Sequence, residues 1–187
     1  SSDNADHYVN RAHVYSSMGS YELALGDYSK ALEIDNSVAH WYVKRALVWE
    51  ALNEPNLAFI DYTHAITASP SDASLYFPRA NLHATVGNNI LALQDVTRAI
   101  ALDKSEPRYL EARADFYSAA NDPQAAMTDL TTAIDLSSGN VNLYAKRADA
   151  WYMLGQLRQS VADYSFVLGE VLDDPDYFLS RARAYIG

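Results

Sequence analysis

The chain has 187 residues, 49% of them hydrophobic types, which is enough for one or two domains with a packed core. Seven glycines and six prolines are few for an all-β sandwich or barrel, whereas 29 alanines favour helices. The net charge of −10 argues against nucleic acid and anionic membrane surfaces as partners. The lack of Cys excludes disulfides, zinc–thiolate sites and thiol nucleophiles, and no apolar run reaches the ~20 residues of a membrane span.

A period of 34 residues runs through the sequence without interruption. It divides the chain into repeats at 5–38, 39–72, 73–106, 107–140 and 141–174, followed by a segment at 175–187. Alanines recur at this period, as do an Arg at repeat position 7 and an Asp at position 23. In chain order the charged residues are Arg11, Asp27, Arg45, Asp61, Arg79, Asp95, Arg113, Asp129, Arg147, Asp163 and Arg181.

Each repeat is predicted to form two helices. In the first repeat, Tyr8, Ala12 and Tyr15 share one helical stripe, and Gly19 marks the end of that helix. The stripe of the second helix consists of Ala24, Leu25, Tyr28, Ala31 and Leu32. The later repeats follow the same order, with turns that contain Asn-Glu-Pro or Asn-Asp-Pro at 53–55 and 121–123, which start helices well. Residues 175–187 supply only the first helix of a sixth repeat.

Two departures from the pattern carry their own expectations. Pro78 falls in the second turn of a predicted helix, where it should bend the helix and free the carbonyl of Ser74. That carbonyl could accept a hydrogen bond from a bound peptide, or the bend could simply be tolerated. Ser160 and Val167 stand where other repeats have alanine, so we expect looser packing in the fifth repeat.

The small residues at repeat positions 8, 20 and 27, the aromatic residues at 4, 11 and 24, and Gly near 15 resemble the tetratricopeptide repeat. The resemblance covers essentially the whole chain. It implies an all-α, right-handed superhelical solenoid of antiparallel helix hairpins, whose first helices line a concave groove. We expect residues 1–187 to form one such domain within a longer protein. The sequence leaves the compartment open, with a cytoplasmic location as the working expectation.

The Arg and Asp columns face each other when hairpins stack, within a repeat and between repeats. They could therefore run as one charge ladder along the chain. One reading is a row of anion-binding sites. We favour the other, in which the charge pairs fix the stacking register, because buried ion pairs contribute specificity more reliably than stability.

The resemblance also implies which residues line the groove. In repeats one to three they are Val9, Asn10, His13, Val43, Lys44, Leu47, Phe77 and Asn81. In repeats four and five they are Arg108, Glu111, Asp115, Lys146 and Asp149, with Tyr152 and Met153 deeper. The first set predicts an apolar wall flanked by hydrogen-bonding groups, and the second predicts mixed charge. The alternative for Val9 and Val43 is that neighbouring helices cover them.

These features predict a non-catalytic scaffold that binds a peptide or helix of another protein in the groove. The known carboxylate clamp for acidic chaperone tails is not expected, since its positions hold Val9, His13, Lys44, Ser74 and Pro78. The alternative function is self-assembly through residues 175–187, where Phe178, Ala182, Tyr185 and Ile186 lack a partner helix. The sequence has no metal-ligand spacing, Gly-rich phosphate loop or nucleophile motif, so we expect neither a cofactor nor catalysis. His83 falls in a column of core aromatic residues, so we expect it to be part of the core and not a metal ligand.

Overall fold

The computed structural model describes residues 4–137, 139–171 and 174–186. Its regular structure there is eleven α-helices and one short 3₁₀ helix, which confirms the predicted all-α class of packed helix hairpins. The chain divides into an N-terminal body, residues 1–102, and a C-terminal body, residues 103–187. Within the described residues, no helix is both long and apolar enough to cross a bilayer. The single repeat domain over residues 1–187 stays a prediction.

The helices alternate as the first and second members of successive hairpins. The N-terminal body contains α1 (Ala5–Ser17), α2 (Tyr21–Ile34), α3 (Ala39–Ala51), α4 (Pro55–Ala68), α5 (Tyr76–Thr85) and α6 (Asn89–Leu102). The C-terminal body contains α7 (Pro107–Ala119), α8 (Pro123–Leu136), α9 (Val141–Met153), α10 (Leu157–Glu170) and α11 (Pro175–Ile186). Most of these helices have 13 or 14 residues.

One backbone motif joins the two helices of every hairpin. Repeat position 15 has a positive φ in all five repeats, and Gly or Asn, which tolerate this conformation, occupies it each time: Gly19, Asn53, Gly87, Asn121 and Gly155. In the first hairpin the next residue, Ser20, donates its N–H to the carbonyl of Tyr15 at 2.8 Å. This hydrogen bond closes a Schellman motif, so the sequence itself ends the first helix at a fixed angle.

Alanine allows the two helices of a hairpin to pack closely. Ala12 of α1 and Ala24 and Ala31 of α2 are completely buried, beside the equally buried ring of Tyr28. The equivalent alanines in the later hairpins are buried in the same way. Small side chains at these positions let the backbones approach and let larger neighbours fill the space between hairpins.

The fifth repeat departs from the alanine pattern without losing burial. Ser160 and Val167 are both completely buried, so their exposure gives no sign of the looser packing expected. The hydroxyl of Ser160 makes no hydrogen bond with any described residue. The replacement of alanine by serine therefore buries a polar atom that has no partner in the described part of the chain.

Pro78 changes the type of helix rather than bending an α-helix. A 3₁₀ helix at Ala73–Leu75 precedes α5, which begins at Tyr76 and has ten residues. Pro78 is therefore in the first turn of α5, where an N–H group has no acceptor within the helix. A helix counted from Ala73, as the sequence pattern predicts, places the proline one turn too deep.

Candidate functional site

An Arg–Asp pair lies inside each of the five hairpins. In the second hairpin, Arg45 donates from Nε and Nη2 to the two carboxylate oxygens of Asp61, at 2.8 and 2.7 Å. The other four pairs have the same two-bonded geometry: Arg11–Asp27, Arg79–Asp95, Arg113–Asp129 and Arg147–Asp163. The bonds to Asp61 raise the pKa of Arg45.

Hydroxyl groups, and not aspartates, connect the arginines to the preceding hairpin. Arg45 donates from Nη1 to the hydroxyl of Ser29 at 3.0 Å, and Arg79 likewise to Thr63 at 3.2 Å. Arg147–Thr131 and Arg181–Ser165 repeat this contact at 3.5 Å. The sequence predicted a continuous ladder, in which Asp27 would also pair with Arg45. The structure differs because Arg11 already engages both carboxylate oxygens of Asp27.

The inner face of the N-terminal body, formed by first-helix residues of α1, α3 and α5, is less apolar than expected. Val9 is only 7% exposed, in a cluster that includes Val48 of α3, which agrees with the alternative in which neighbouring helices cover it and not with an open position. Val43 is half-buried against the clusters that contain Leu82 and Leu75. Leu47, by contrast, is 52% exposed and supplies the open apolar surface of this face.

The polar groups predicted for the same face are free to bind. Asn10, His13 and Asn81 are exposed, and Lys44 is half-buried. None of these four side chains makes a hydrogen bond or ion pair with another described residue. Phe77, the aromatic residue predicted to line this face, is half-buried and interacts with another residue. The N-terminal inner face thus combines one exposed leucine with an amine and several amide or imidazole groups that have no partner within the described chain.

The charges predicted in the C-terminal body are engaged with each other. The amine of Lys146 donates to Glu111 at 2.8 Å and to Asp115 at 2.7 Å. Burial lowers the pKa of Lys146, but the two carboxylates outweigh that effect and raise it. Arg108 pairs with Glu106, two residues earlier in the sequence, and this pair holds the pKa of Glu106 low.

Tyrosine at repeat position 24 reaches a carboxylate of the first helix in two hairpins. The hydroxyl of Tyr62 donates to Glu50, and that of Tyr164 donates to Asp149. Burial and these bonds together raise the pKa of both tyrosines. A shallow pocket beside the second pair is lined by Asp149, Tyr152, Tyr164, Ser180 and Arg183. Tyr152 and Met153, predicted to lie deep in the groove, are both exposed.

The sequence carried signals for two features that were missed. The hydroxyl column at position 25 has the same 34-residue period as the arginines: Ser29, Thr63, Thr97, Thr131 and Ser165. The Tyr–carboxylate contacts could have been found by pairing position 24 with positions 9 and 12. Neither set resembles a catalytic motif, and the described residues hold no cluster of three or more His, Asp or Glu side chains suited to a metal ion.

His83 lies in the core column that the sequence assigned to it. Its ring stacks on Phe59 with centroids 4.4 Å apart, and its Nε2 is 4.0 Å from a carboxylate oxygen of Asp95. Its Nδ1 is buried and has no hydrogen-bond partner among the described residues. Burial lowers the pKa of His83, so the neutral ring is the form that suits this site.

A family model matches one repeat of the chain, and solved structures match its fold. The tetratricopeptide repeat family model matches residues 5–37. No curated protein sequence matches the chain.

Solved structures are similar over nearly the whole chain. The structure described as the functional characterization of Pseudomonas aeruginosa PilF is 21% identical with a TM-score of 0.80, over 96% of this chain and 82% of that one. A tetratricopeptide repeat protein from Parabacteroides merdae is 16% identical with a TM-score of 0.84, over 97% of this chain and 72% of that one. YrrB, a TPR protein with an unusual peptide-binding site, is 18% identical with a TM-score of 0.76, over 99% of this chain and 94% of that one.

Proposed function

Because residues 5–37 are a tetratricopeptide repeat and the described fold is that of tetratricopeptide-repeat proteins, we propose that this chain is a non-catalytic scaffold that binds a segment of another protein. Such repeats generally mediate protein–protein interaction. The binding surface we assign is the inner face of the N-terminal body. The observation that carries this assignment is the exposed side chain of Leu47 beside the amine of Lys44, which pairs with no residue that the structure describes.

The chemistry of this face defines the ligand. Leu47 offers an apolar contact, and Lys44 lies one helical turn away on the same face of α3. Asn10 and Asn81 occupy equivalent faces of α1 and α5 and can pair with the amide groups of an extended chain. The expected ligand is therefore a peptide or helix with an apolar anchor next to a hydrogen-bond acceptor or carboxylate.

We do not expect the acidic tail of a chaperone to be the ligand. Lys44 is the one lysine or arginine among the residues predicted to line the groove in this body, so a cluster of carboxylates would find a single countercharge. Among the residues predicted to line the groove in the C-terminal body, the three acids Glu111, Asp115 and Asp149 outnumber the two bases Arg108 and Lys146. Like charges placed opposite each other repel, so these carboxylates disfavour an acidic partner.

A peptide-display selection tests the proposal. Peptides selected on the wild-type chain are measured against Leu47→Glu and against Leu23→Glu, a matched control whose leucine is equally exposed, at 56%, on the second helix α2. We expect Leu47→Glu to weaken the selected peptides at least tenfold and Leu23→Glu to leave them within twofold. Peptides that bind Leu47→Glu as tightly as the wild type would exclude this face as the binding surface.

Self-assembly through residues 175–187 is the second candidate function. It is supported by the exposure of Phe178, Tyr185 and Ile186 on α11. Light scattering across a hundredfold range of concentration separates the two candidates, because a self-assembling chain gains mass with concentration and a monomeric scaffold does not.

A further inference from the structure

Glu50 adds a carboxylate to the inner face of the N-terminal body, beside the residues that the repeat pattern assigned to it. It follows Leu47 by three residues on α3, and helical residues at this spacing are neighbours. Its repeat position, 12, is the one that Tyr152 occupies in the groove predicted for the fifth repeat. Glu50 is half-buried, as Lys44 is. An amine, an apolar side chain and a carboxylate therefore follow each other along one helix.

A buried tyrosine of the second helix holds this carboxylate in place. The hydroxyl of Tyr62 on α4 donates to Oε1 of Glu50, and Tyr62 is completely buried. Burial of Tyr62, together with this bond, raises its pKa, so the hydroxyl keeps its proton and leaves the carboxylate charged. Within the described part of the chain, this is the one hydrogen bond or ion pair of the Glu50 carboxylate. The side chain is therefore oriented and has no countercharge there.

The C-terminal body contains a similar pair with a cation beside it. There the hydroxyl of Tyr164 donates to Asp149, and Arg183 lines the shallow pocket next to this pair. Arg183 is at position 9 of the segment that follows the fifth repeat. In the repeat that follows the hairpin of Glu50, position 9 is Asn81, which is exposed. One Tyr–carboxylate pair thus shares a pocket with a guanidinium of this chain, and the other has a neutral amide at the equivalent repeat position.

We propose that the carboxylate of Glu50 binds a lysine or arginine side chain of the polypeptide that occupies the inner face of the N-terminal body, an assignment that rests on the proposed function. Together with Leu47 and Lys44 it sets the order of groups in the ligand: a cation, an apolar anchor, and a carboxylate or carbonyl.

The spacing of the site limits where the ligand cation lies. The rise from Leu47 to Glu50 is about 4.5 Å along the axis of α3. An extended ligand advances about 3.3 Å per residue, so it covers this rise in one or two residues. With the length of its own side chain, the lysine or arginine lies within about three residues of the apolar anchor.

Electrostatics favour a cation at Glu50 over a neutral donor. A half-buried carboxylate has lost part of its hydration, and a charge-assisted hydrogen bond compensates for that loss better than a neutral one does. Because Tyr62 already orients the side chain, less conformational entropy is lost when the ligand binds. The net charge of −10 attracts a basic segment at long range and repels a second copy of the chain.

Parallel peptide-display selections on two forms of the chain test the assignment. A random peptide library is selected on the wild type and on Glu50→Lys, and both pools are sequenced. In the wild-type pool we expect Lys or Arg to be enriched within about three residues of the apolar anchor. In the Glu50→Lys pool we expect Asp or Glu at the same place. The apolar anchor should be common to both pools, because Leu47 is unchanged.

One peptide from the wild-type pool, and its version with Gln in place of the Lys or Arg, then measure the pair directly by fluorescence anisotropy. The charged peptide should bind the wild type about tenfold more tightly than the Gln peptide, and Glu50→Gln less than twofold more tightly. Glutamine still accepts a hydrogen bond from Tyr62, so the melting curve of Glu50→Gln should match that of the wild type. The matched control Glu22→Gln removes an exposed carboxylate of α2 and should keep the tenfold difference.

Tyr62→Phe tests whether the tyrosine acts by positioning Glu50. It keeps the buried ring and removes only the hydroxyl, so the difference between the two peptides should fall to about threefold. A merely structural role would weaken both peptides equally and leave their ratio unchanged. An unchanged ratio would therefore overturn the positioning role of Tyr62.

The selections also distinguish this assignment from the function on which it rests. Wild-type peptides that lose affinity for Leu47→Glu but carry no excess of Lys or Arg would overturn the cation site and leave the inner face as the binding surface. Peptides insensitive to Leu47→Glu, or a selection that yields none, would overturn both. A wild-type dimer in sedimentation that Glu50→Lys dissociates would make a second copy of the chain the occupant and would also overturn the assignment.

Discussion

Replacement of Arg79 by Met tests whether the Arg–Asp pairs hold the hairpins together. The side chain of Arg79 is 20% exposed, and it makes bonds of 2.7 and 2.8 Å to Asp95, which is itself buried. Methionine keeps most of the apolar stem but leaves the carboxylate of Asp95 without its countercharge. Removal of one partner from a buried pair costs about 3–5 kcal/mol of unfolding free energy.

The expected loss is large enough to read from a melting curve. In a body of about a hundred residues, each kcal/mol lowers Tm by roughly 4–8 °C, so Arg79→Met should melt more than about 10 °C below the wild type. Circular dichroism at the helix band and tryptophan fluorescence, followed together, report the transition. Two of the three tryptophans, Trp41 and Trp49, lie in the body that contains the mutation.

Two control variants make the result specific. Arg11 has the same bonds to Asp27 but its side chain is 57% exposed, so Arg11→Met should cost clearly less than Arg79→Met. The double variant Arg79→Met/Asp95→Leu removes both charges and should recover much of the lost stability. A wild-type melting curve for Arg79→Met, or a double variant no better than the single one, would refute a structural role for the pairs.

Three further predictions concern single positions in the core and turns. Ser160→Ala should raise the free energy of unfolding by about 1 kcal/mol, because it removes a buried hydroxyl that has no partner among the described residues. A lower unfolding free energy for Ser160→Ala in a urea titration would contradict this. The chain should become less stable as the pH falls below the unfolded pKa of His83, about 6.5, because burial favours the neutral form of this ring beside Arg79 and Asp95. His83→Phe should lack this pH dependence in melting curves recorded between pH 7.5 and 5. Gly87→Ala should cost about 1 kcal/mol, because Gly87 has a φ of 82°, and a melt equal to the wild type would show that the turn relaxes.

Much of the fold follows directly from the sequence. The 34-residue period places three kinds of residue at fixed positions. Alanine allows close packing, Gly or Asn adopts the positive φ of the turn, and Arg forms the ion pair with Asp. Where the pattern was irregular, the prediction was weaker. Pro78 shows this, because a shift from α to 3₁₀ geometry over Ala73–Leu75 depends on the local hydrogen bonds, and helical spacing does not encode those.

The candidate site was harder to predict than the fold. Position within a repeat identifies the helix face, but not how far the next hairpin covers it. Val9 is buried in a cluster that includes Val48 of the following repeat, whereas Leu47 at a neighbouring face position stays open. The pairing of Lys146 with two carboxylates likewise depends on side-chain reach between α7 and α9, which periodicity alone does not give.

The neutral hydroxyl contact between hairpins has a consequence for how such a chain can change in length. Because Arg45 finds its countercharge inside its own repeat and bonds to the previous one through the neutral hydroxyl of Ser29, the Arg and Asp columns are balanced within each 34-residue block. A block duplicated or deleted in frame would leave no member of these two columns stranded at the new junction, whereas Lys146 would lose its partners Glu111 and Asp115 if the block before it were removed. Growth or shortening by whole blocks is thus free of the electrostatic penalty that a continuous alternation of charges would impose.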